Sequence, residues 1–208
     1  MTRVHPNSPN SNAPDSSITL ESEPVTLTVW RKSLLFNCSG FTVFDAKGDL
    51  VFRVDNYSSS RRTEIVLMDF SGKSLFTIRR KKLSLIERWY IYEGEAVTAR
   101  PRFLARKSVT VRLSGCKHKE LANVARCSRA GAEEGPVYGI EGSFLQRSCV
   151  VLDDRRRNVA EVRQKEAVGG VSFGGDVFRL VVQPGFDAGL AMAMVVVLEQ
   201  MFGGGRAN

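Results

Sequence analysis

The chain has 208 residues, of which 43% are hydrophobic, so it is long enough to bury a sizeable core as one large domain. Lys and Arg number 30 against 22 Asp and Glu, which gives a formal net charge of +8. A basic domain favours anionic partners, namely a membrane surface, a phosphoinositide or nucleic acid, while a basic surface that only confers solubility is the alternative. Four cysteines without a CxxC pair exclude a disulfide-rich secreted domain and indicate a reducing compartment.

The first 24 residues are rich in Ser, Asn and Pro, and they contain too few large apolar side chains to offset the entropy of ordering. We therefore expect a disordered tail over 1–24, a folded domain over 25–203 and a flexible tail over 204–208. The N-terminus lacks the apolar segment of a secretory signal. These features predict a cytoplasmic chain, located peripherally at the plasma membrane or in the nucleus.

One hairpin motif occurs three times, in the segments 41–54, 65–78 and 149–162. Each copy is an apolar run that ends in an aspartate, followed by a second apolar run: Asp45, Asp69 and Asp153. An aspartate suits the first position of a type I turn, because its carboxylate accepts backbone N–H bonds. We therefore interpret these three carboxylates as turn formers rather than catalytic groups.

The fourth turn position distinguishes the third copy of the motif from the other two. Gly48 and Gly72 occupy it in the first two copies, where a left-handed residue closes the hairpin with a bulge. Arg156 stands there in the third copy, which predicts a different or looser turn. The apolar residues seven and nine positions after each aspartate are expected to face inward: Phe52, Phe76, Ala160, Val54, Ile78 and Val162.

Short alternating runs elsewhere predict further strands, over 25–30, 88–94, 108–113, 120–127, 137–144 and 176–185. The segment 130–136 predicts a loop, because it combines Gly, Pro and charge. Eleven or twelve strands follow from this count, and so many antiparallel strands tend to close into a barrel or to split into two sheets.

The C-terminal segment 186–202 predicts a helix that is apolar on every face, capped by Asp187 and ended by the glycines at 203–205. Its uncharged stretch from Ala188 to Leu198 is 11 residues long, whereas a membrane span needs about 20. A buried core helix is therefore favoured over a membrane anchor. A many-stranded antiparallel barrel closed around this helix accommodates both halves of the chain.

Three segments resemble plant LURP-one-related proteins: WRKSLLFNCSGFTVFDAKGDLVFRVDNY (30–57), IEGSFLQRSCVVLDD (140–154) and FRLVVQPGFDAGLAMAMVVVLEQMF (178–202). The resemblance covers about 25–203. It implies the tubby C-terminal-like fold, a twelve-stranded barrel around a central hydrophobic helix, which tubby proteins and phospholipid scramblases share. It also implies a plant protein with a role in signalling or pathogen defence, and it carries over no catalytic residues.

No group of residues in this sequence matches a known catalytic or metal-binding pattern, so we predict no enzyme, no cofactor and no metal. The two histidines are His5, in the expected tail, and His118. Cys116, His118 and Cys127 match no established zinc spacing and lack an evident fourth ligand. The glycine-rich segment 169–176 lacks the Lys-Ser/Thr of a phosphate-binding loop.

Basic clusters are the predicted anion-binding sites, because several guanidinium groups can hold a phosphorylated headgroup. The predicted residues are Arg79, Arg80, Lys81, Lys82, Arg155, Arg156 and Arg157. If 79–82 continues a strand, Arg80 and Lys82 share one face while Arg79 and Lys81 share the other. Solvated charges that protect sheet edges from aggregation are the alternative interpretation.

The leading functional hypothesis is a monomeric, non-enzymatic module that binds or tethers at a membrane surface through an anionic headgroup such as a phosphoinositide. A transcription-related regulator that binds nucleic acid is the alternative, and it expects an aromatic residue such as Trp30, Trp89 or Tyr90 exposed beside the cations. A scaffold that recognises proteins through loops such as 128–137 is a further hypothesis. Scramblase-like lipid transfer is disfavoured, because no membrane-spanning segment accompanies the expected core helix.

Overall fold

A computed structural model describes residues 23–34, 38–57, 64–81, 87–95, 100–108, 120–128, 133–166 and 174–203. Outside these residues lie most of the predicted N-terminal tail, the predicted C-terminal tail 204–208, Lys82, Cys116 and His118. So does the predicted strand at 108–113, apart from Ser108. The expectations that concern them remain predictions.

Twelve strands form a closed antiparallel barrel in which each strand pairs with its neighbours in sequence and β1 pairs with β12. The strands are β1 Val25–Trp30, β2 Cys38–Phe44, β3 Leu50–Tyr57, β4 Glu64–Asp69, β5 Ser74–Arg80, β6 Arg88–Glu93, β7 Pro101–Lys107, β8 Glu120–Cys127, β9 Glu133–Ser143, β10 Ser148–Asp153, β11 Asn158–Gln164 and β12 Val177–Val182. The predicted barrel is confirmed.

One helix, α1 (Ala188–Phe202), fills the barrel. Its residues from Gly189 to Glu199 are all buried, so it is enclosed on every side. Asp187 caps the first turn, because its Oδ1 accepts a hydrogen bond from the N–H of Leu190 at 3.1 Å. Close packing requires a thin first turn, since a Cβ at Gly189 would lie 3.1 Å from the Phe76 ring. Within the described residues, no helix is long and apolar enough to cross a membrane.

The antiparallel order separates two ends of the barrel. The hairpin end holds the turns after Asp45, Asp69 and Asp153 and the beginning of α1, because all of these follow even-numbered strands. The helix C-terminal end is the opposite one, where Lys107, the last residue of β7, donates from Nζ to the Met201 carbonyl at 2.7 Å. Every strand therefore contributes one terminus to each end.

The three predicted turns form as expected in their backbone hydrogen bonds. Asp69 Oδ1 accepts from the N–H groups of Ser71 and Lys73 at 2.9 and 3.0 Å. Gly48 and Gly72 are left-handed, with φ of 90° and 92°. Six apolar positions expected to face inward are buried: Phe52, Phe76, Ala160, Val54, Ile78 and Val162.

The prediction of a different or looser third turn is wrong. Arg156 adopts φ of 63°, and its N–H donates to the Asp153 carbonyl at 3.0 Å, as Gly48 and Gly72 do in their turns. All three hairpins also shift register at the same relative position. Arg156 tolerates the left-handed backbone while its guanidinium forms two hydrogen bonds to Glu141, at 2.6 and 3.2 Å. The turn geometry therefore depends more on the aspartate than on the glycine.

Two elements differ from the sequence prediction. Strand β7 is absent from the predicted strands, because Arg102, Arg106 and Lys107 obscure the inward-facing Phe103 and Ala105. Strand β9 begins inside the predicted loop 130–136, where its irregular pairing with β8 leaves the first four residues exposed. Exposed, irregular strand pairing therefore accounts for the loop-like composition of this segment.

Candidate functional site

The two predicted basic clusters lie at opposite ends of the barrel. Arg79 and Arg80 close β5 at the helix C-terminal end, and Lys81 follows them directly. The segment 155–157 forms the β10–β11 turn at the hairpin end. One ligand therefore cannot contact both clusters.

The hairpin-end cluster is largely occupied by its own carboxylates. Arg156 binds Glu141 through both terminal nitrogens, and Arg157 Nη2 lies 2.7 Å from Asp153 Oδ2. Arg155 is exposed and has no acidic side-chain partner among the described residues. Only one of these three cations is therefore available to a ligand.

The cluster at the end of β5, formed by Arg79, Arg80 and Lys81, is divided between two faces, as the alternation of side chains along a strand predicts. Arg79 lies over the Tyr92 ring at 5.5 Å, and the Lys81 ammonium lies over the Tyr90 ring at 5.9 Å. Arg80 instead approaches Glu87, 3.9 Å from its Nη2. Arg79 also binds Glu64 at 2.6 Å, whereas Lys81 has no carboxylate partner in the described part of the chain. Lys81 is thus the least neutralised cation of this group.

An ion-pair network that sequence reasoning missed closes the helix C-terminal end. Arg147 Nη2 lies 3.4 Å from Glu199 Oε2, and its Nε donates to the Gly175 carbonyl at 2.9 Å. The guanidinium lies over the rings of Phe144 and Phe178, 4.4 and 4.3 Å from their centroids. Burial lowers the pKa of Arg147, and the carboxylate of Glu199 opposes that shift.

Arg31 extends this network to the rim of the barrel. Its Nε lies 2.9 Å from Glu199 Oε1, and its Nη1 lies 3.4 Å from Asp176 Oδ1. Two arginines and two carboxylates therefore neutralise one another beside a cavity of about 190 Å³. This cavity is lined by Arg31, Leu145, Arg147, Gly175, Asp176, Glu199, Phe202 and Gly203. We assign the network a structural role, fastening α1 to the barrel wall.

Exposed apolar side chains accompany the cations at the helix C-terminal end. Trp30, Leu34 and Leu145 all protrude there, and Lys32 Nζ lies 5.4 Å from the Trp30 ring centroid. The other two large apolar side chains exposed in the described residues belong to the hairpin end, at Val25 and Phe70. The helix C-terminal end thus combines basic and apolar groups on one surface.

The described residues contain no cluster of three His, Cys, Asp or Glu side chains that could hold a metal ion. Burial raises the pKa of the Cys149 thiol to about 12, so this cysteine stays protonated at neutral pH and is a poor nucleophile. Burial also raises the pKa of Cys127. Neither thiol has the low pKa that a catalytic or redox cysteine needs.

A closed twelve-stranded antiparallel barrel filled by one hydrophobic helix defines the tubby C-terminal-like class of fold. The X-ray structure of a protein from Arabidopsis thaliana shares it, with a TM-score of 0.61 and 22% sequence identity over 86% of this chain and 91% of that one. At this identity the likeness concerns the fold alone.

The chain belongs to the LURP-one-related family, whose model matches residues 25–199. It is 48% identical to LURP-one-related protein 8 of Arabidopsis thaliana, over 97% of this chain and 98% of the relative. It is also 45% identical to LURP-one-related protein 17 of the same plant, over 85% of this chain and 83% of the relative. The family resemblance inferred from the sequence is therefore confirmed.

Proposed function

We propose that this protein is a non-enzymatic module that binds the anionic surface of a membrane with the helix C-terminal end of its barrel. One observation carries the proposal: Trp30, Leu34 and Leu145 protrude at the end where Lys32 and Lys81 are exposed. Peripheral proteins insert apolar tips at the headgroup level while basic side chains meet anionic lipids. This surface offers both kinds of group.

The charge of the connecting segments supports the same orientation. The segments 58–63, 82–86 and 109–119 join strands whose termini lie at the helix C-terminal end. In sequence they contain six Lys and Arg residues and no Asp or Glu: Arg61, Arg62, Lys82, Arg112, Lys117 and Lys119. Each basic residue close to an anionic membrane contributes about 1 kcal/mol of attraction. The proposed setting is plant signalling or defence, as the resemblance to LURP-one-related proteins implies.

Co-sedimentation with vesicles tests the proposal. We expect the protein to pellet with vesicles of phosphatidylcholine and phosphatidylserine and to stay in solution with phosphatidylcholine alone. Leu145→Ser and Lys32→Glu should each reduce the bound fraction several-fold, because they remove one apolar tip and reverse one charge.

Matched substitutions at the hairpin end are the controls. Phe70 is 69% exposed and Leu145 is 71% exposed, so Phe70→Ser removes a similar apolar tip from the opposite end. Lys73→Glu reverses an exposed lysine there. Equal binding to neutral and anionic vesicles, or equal losses in the control variants, would contradict the proposal.

Nucleic-acid binding is a second candidate, favoured by the contact between exposed Trp30 and Lys32. Of the other aromatic residues that this alternative invoked, Trp89 is buried and Tyr90 is half-buried. Binding to duplex DNA that falls steeply with salt, together with no response of vesicle binding to Leu145→Ser, would favour this candidate over the membrane.

A further inference from the structure

Four hydrogen-bond donor side chains occupy successive register positions on the outer wall of the barrel. Lys81 continues the ladder beyond β5, since its N–H donates to the Arg88 carbonyl at 2.9 Å. Arg88 is paired with Arg106, and Arg106 with Asn123. These four residues therefore form one row across β5 to β8 near the helix C-terminal end, which we call the donor row.

The donor row faces away from the core. Trp89 and Ala105 belong to the buried core cluster, so the adjacent Arg88 and Arg106 point outward by the alternation of a strand. Asn123 lies between the buried Ala122 and Val124 and is itself partly exposed. Beyond Asn123 the register partner is Gly139, where an added Cβ would meet nothing within 4 Å. The row therefore ends beside open space.

Several polar atoms along this wall are buried without a hydrogen-bond partner. They are Arg88 Nε, Arg106 Nε and Ser108 Oγ. Ser108 extends the ladder two residues beyond Arg106, since its N–H donates to the Leu121 carbonyl at 2.9 Å. Buried polar atoms are seldom left unpaired in folded proteins, so three on one patch of wall call for an explanation. An anion bound at this wall supplies an acceptor once these side chains turn toward it.

The carboxylates around the donor row neutralise only part of its charge. Glu133 binds Arg106 through Nη2, and Glu64 is occupied by Arg79. Arg88 and Lys81 have no acidic side-chain partner in the described part of the chain. Cations on directly paired positions repel one another, so this arrangement costs stability unless an anion lies between them. Three cations against one carboxylate leave the row with an excess of positive charge.

We propose that the donor row, together with Ser108, is a binding site for a group that carries two or more phosphates on one small ring. Neighbouring strands are about 4.8 Å apart, so the side chains of Lys81, Arg88 and Arg106 leave the wall at roughly that interval. A single phosphate cannot neutralise all three, whereas several phosphates on one ring can. The guanidinium groups of the two arginines and the side-chain amide of Asn123 form hydrogen bonds with a defined direction. Such bonds favour phosphate oxygens over a diffuse negative surface.

This site deepens the proposed function, because the phosphorylated ring can be the headgroup of a membrane lipid. A soluble ring phosphate has the same chemistry, so the two sources are tested separately. The soluble probe is inositol hexakisphosphate, measured by isothermal titration calorimetry. The membrane probe is vesicles containing phosphatidylinositol bisphosphate, compared with phosphatidylserine vesicles of equal total charge.

We expect Arg88→Gln to weaken the affinity for inositol hexakisphosphate about tenfold, because one charge-assisted contact disappears. Lys81→Gln should act in the same direction. Arg88→Lys keeps the charge but loses the paired N–H donors of the guanidinium, so it should give an intermediate affinity. Arg155→Gln, at an exposed cation of the hairpin end, is the control and should leave the affinity unchanged. The melting temperature of Arg88→Gln should equal or exceed that of the unmodified protein, since Arg88 has no carboxylate partner to lose.

The outcomes separate the two proposals. Failure of inositol hexakisphosphate to bind, with anionic vesicles still bound, overturns the donor-row site and leaves the membrane proposal standing. Binding of the soluble probe without any vesicle binding supports the site and overturns the membrane proposal. Equal weakening by Arg155→Gln and Arg88→Gln overturns the site, because it reveals attraction to net charge alone.

Discussion

Arg147 and Glu199 form an ion pair where the barrel wall meets the end of the core helix, and they are only 6% and 8% exposed. The pair joins the turn after β9 to α1, elements that are 52 residues apart in sequence. Removing one partner of a buried pair leaves an uncompensated charge, which usually costs more than the pair itself contributes. The fit of the helix in the barrel therefore depends on both residues being present.

Glu199→Ala should lower the free energy of unfolding by about 3 kcal/mol, because Arg147 loses its counter-charge in a buried position. Urea denaturation followed by circular dichroism measures the change. In the double variant Arg147→Met with Glu199→Leu, both charges are replaced by apolar groups, and part of the lost stability should return. Strictly additive losses in the double variant would show that the two residues are not energetically coupled.

Met194→Asp should abolish folding, because Met194 lies in the middle of α1 and is almost completely buried. Loss of the far-ultraviolet spectrum and of soluble expression are the measurements. Met194→Leu changes the shape but hardly the volume, so it should cost less than about 1.5 kcal/mol. A folded Met194→Asp variant that had lost only its membrane association would contradict the core position of the helix.

Asp69 should contribute a pH-dependent part of the stability. Hydrogen bonds, first from the Ser71 hydroxyl and then from backbone N–H groups, hold the pKa of Asp69 below its ordinary value of 3.8. A carboxyl whose pKa is lower in the folded state stabilises the fold above its unfolded-state pKa and loses that contribution as the pH falls through the folded value. Asp69→Asn should therefore be less stable than the unmodified protein at pH 7. The difference should begin to shrink below about pH 4, near the unfolded-state pKa, and disappear only once the pH is below the folded-state pKa.

Thermal unfolding between pH 3 and pH 7 checks this prediction. Asp154→Asn, at an exposed position of the third turn, is the control and should follow the unmodified protein. A stability difference for Asp69→Asn that persisted undiminished at pH 3 would mean that the turn depends on shape rather than on charge.

The left-handed turn positions should respond in unequal ways to substitution. Gly48→Ala should cost about 1 kcal/mol from backbone strain alone, because the added Cβ would meet no atom within 4 Å. Arg156→Gly relieves the same strain but removes the bidentate ion pair with Glu141, whose geometry is better than that of an ordinary surface pair. The two effects should offset each other to within about 0.5 kcal/mol. Chemical denaturation of both variants provides the comparison.

Short-range patterns carried most of the information about the fold. The uncharged run from Ala188 to Leu198 required an enclosing barrel, because a helix that is apolar on every face must be covered. The aspartate turns marked three hairpins, since each carboxylate binds backbone groups within four residues. Such features depend on neighbours in sequence, so they can be recognised without coordinates.

Features that depend on register could not be predicted in the same way. Glu199 was recognisable as a charge directly after a buried run, but nothing in the sequence identifies Arg147 or Arg31 as its partners. The donor row brings together residues from four strands, and Arg88 and Arg106 become neighbours only when the pairing of β6 with β7 is known. Runs of adjacent basic residues in the sequence indicate 79–82 and 155–157 instead. In the first segment the alternation of a strand divides the charges between two faces, and in the second nearby carboxylates neutralise most of them.

The pairing of β1 with β12 has a consequence for how the protein is made. The first strand leaves the ribosome more than a hundred residues before its partner, and the helix that fills the barrel emerges after all twelve strands. Until then the inward faces of the strands have no core to cover them, so the nascent chain exposes a large apolar surface. The barrel can therefore close around its complete core only after synthesis has passed Phe202.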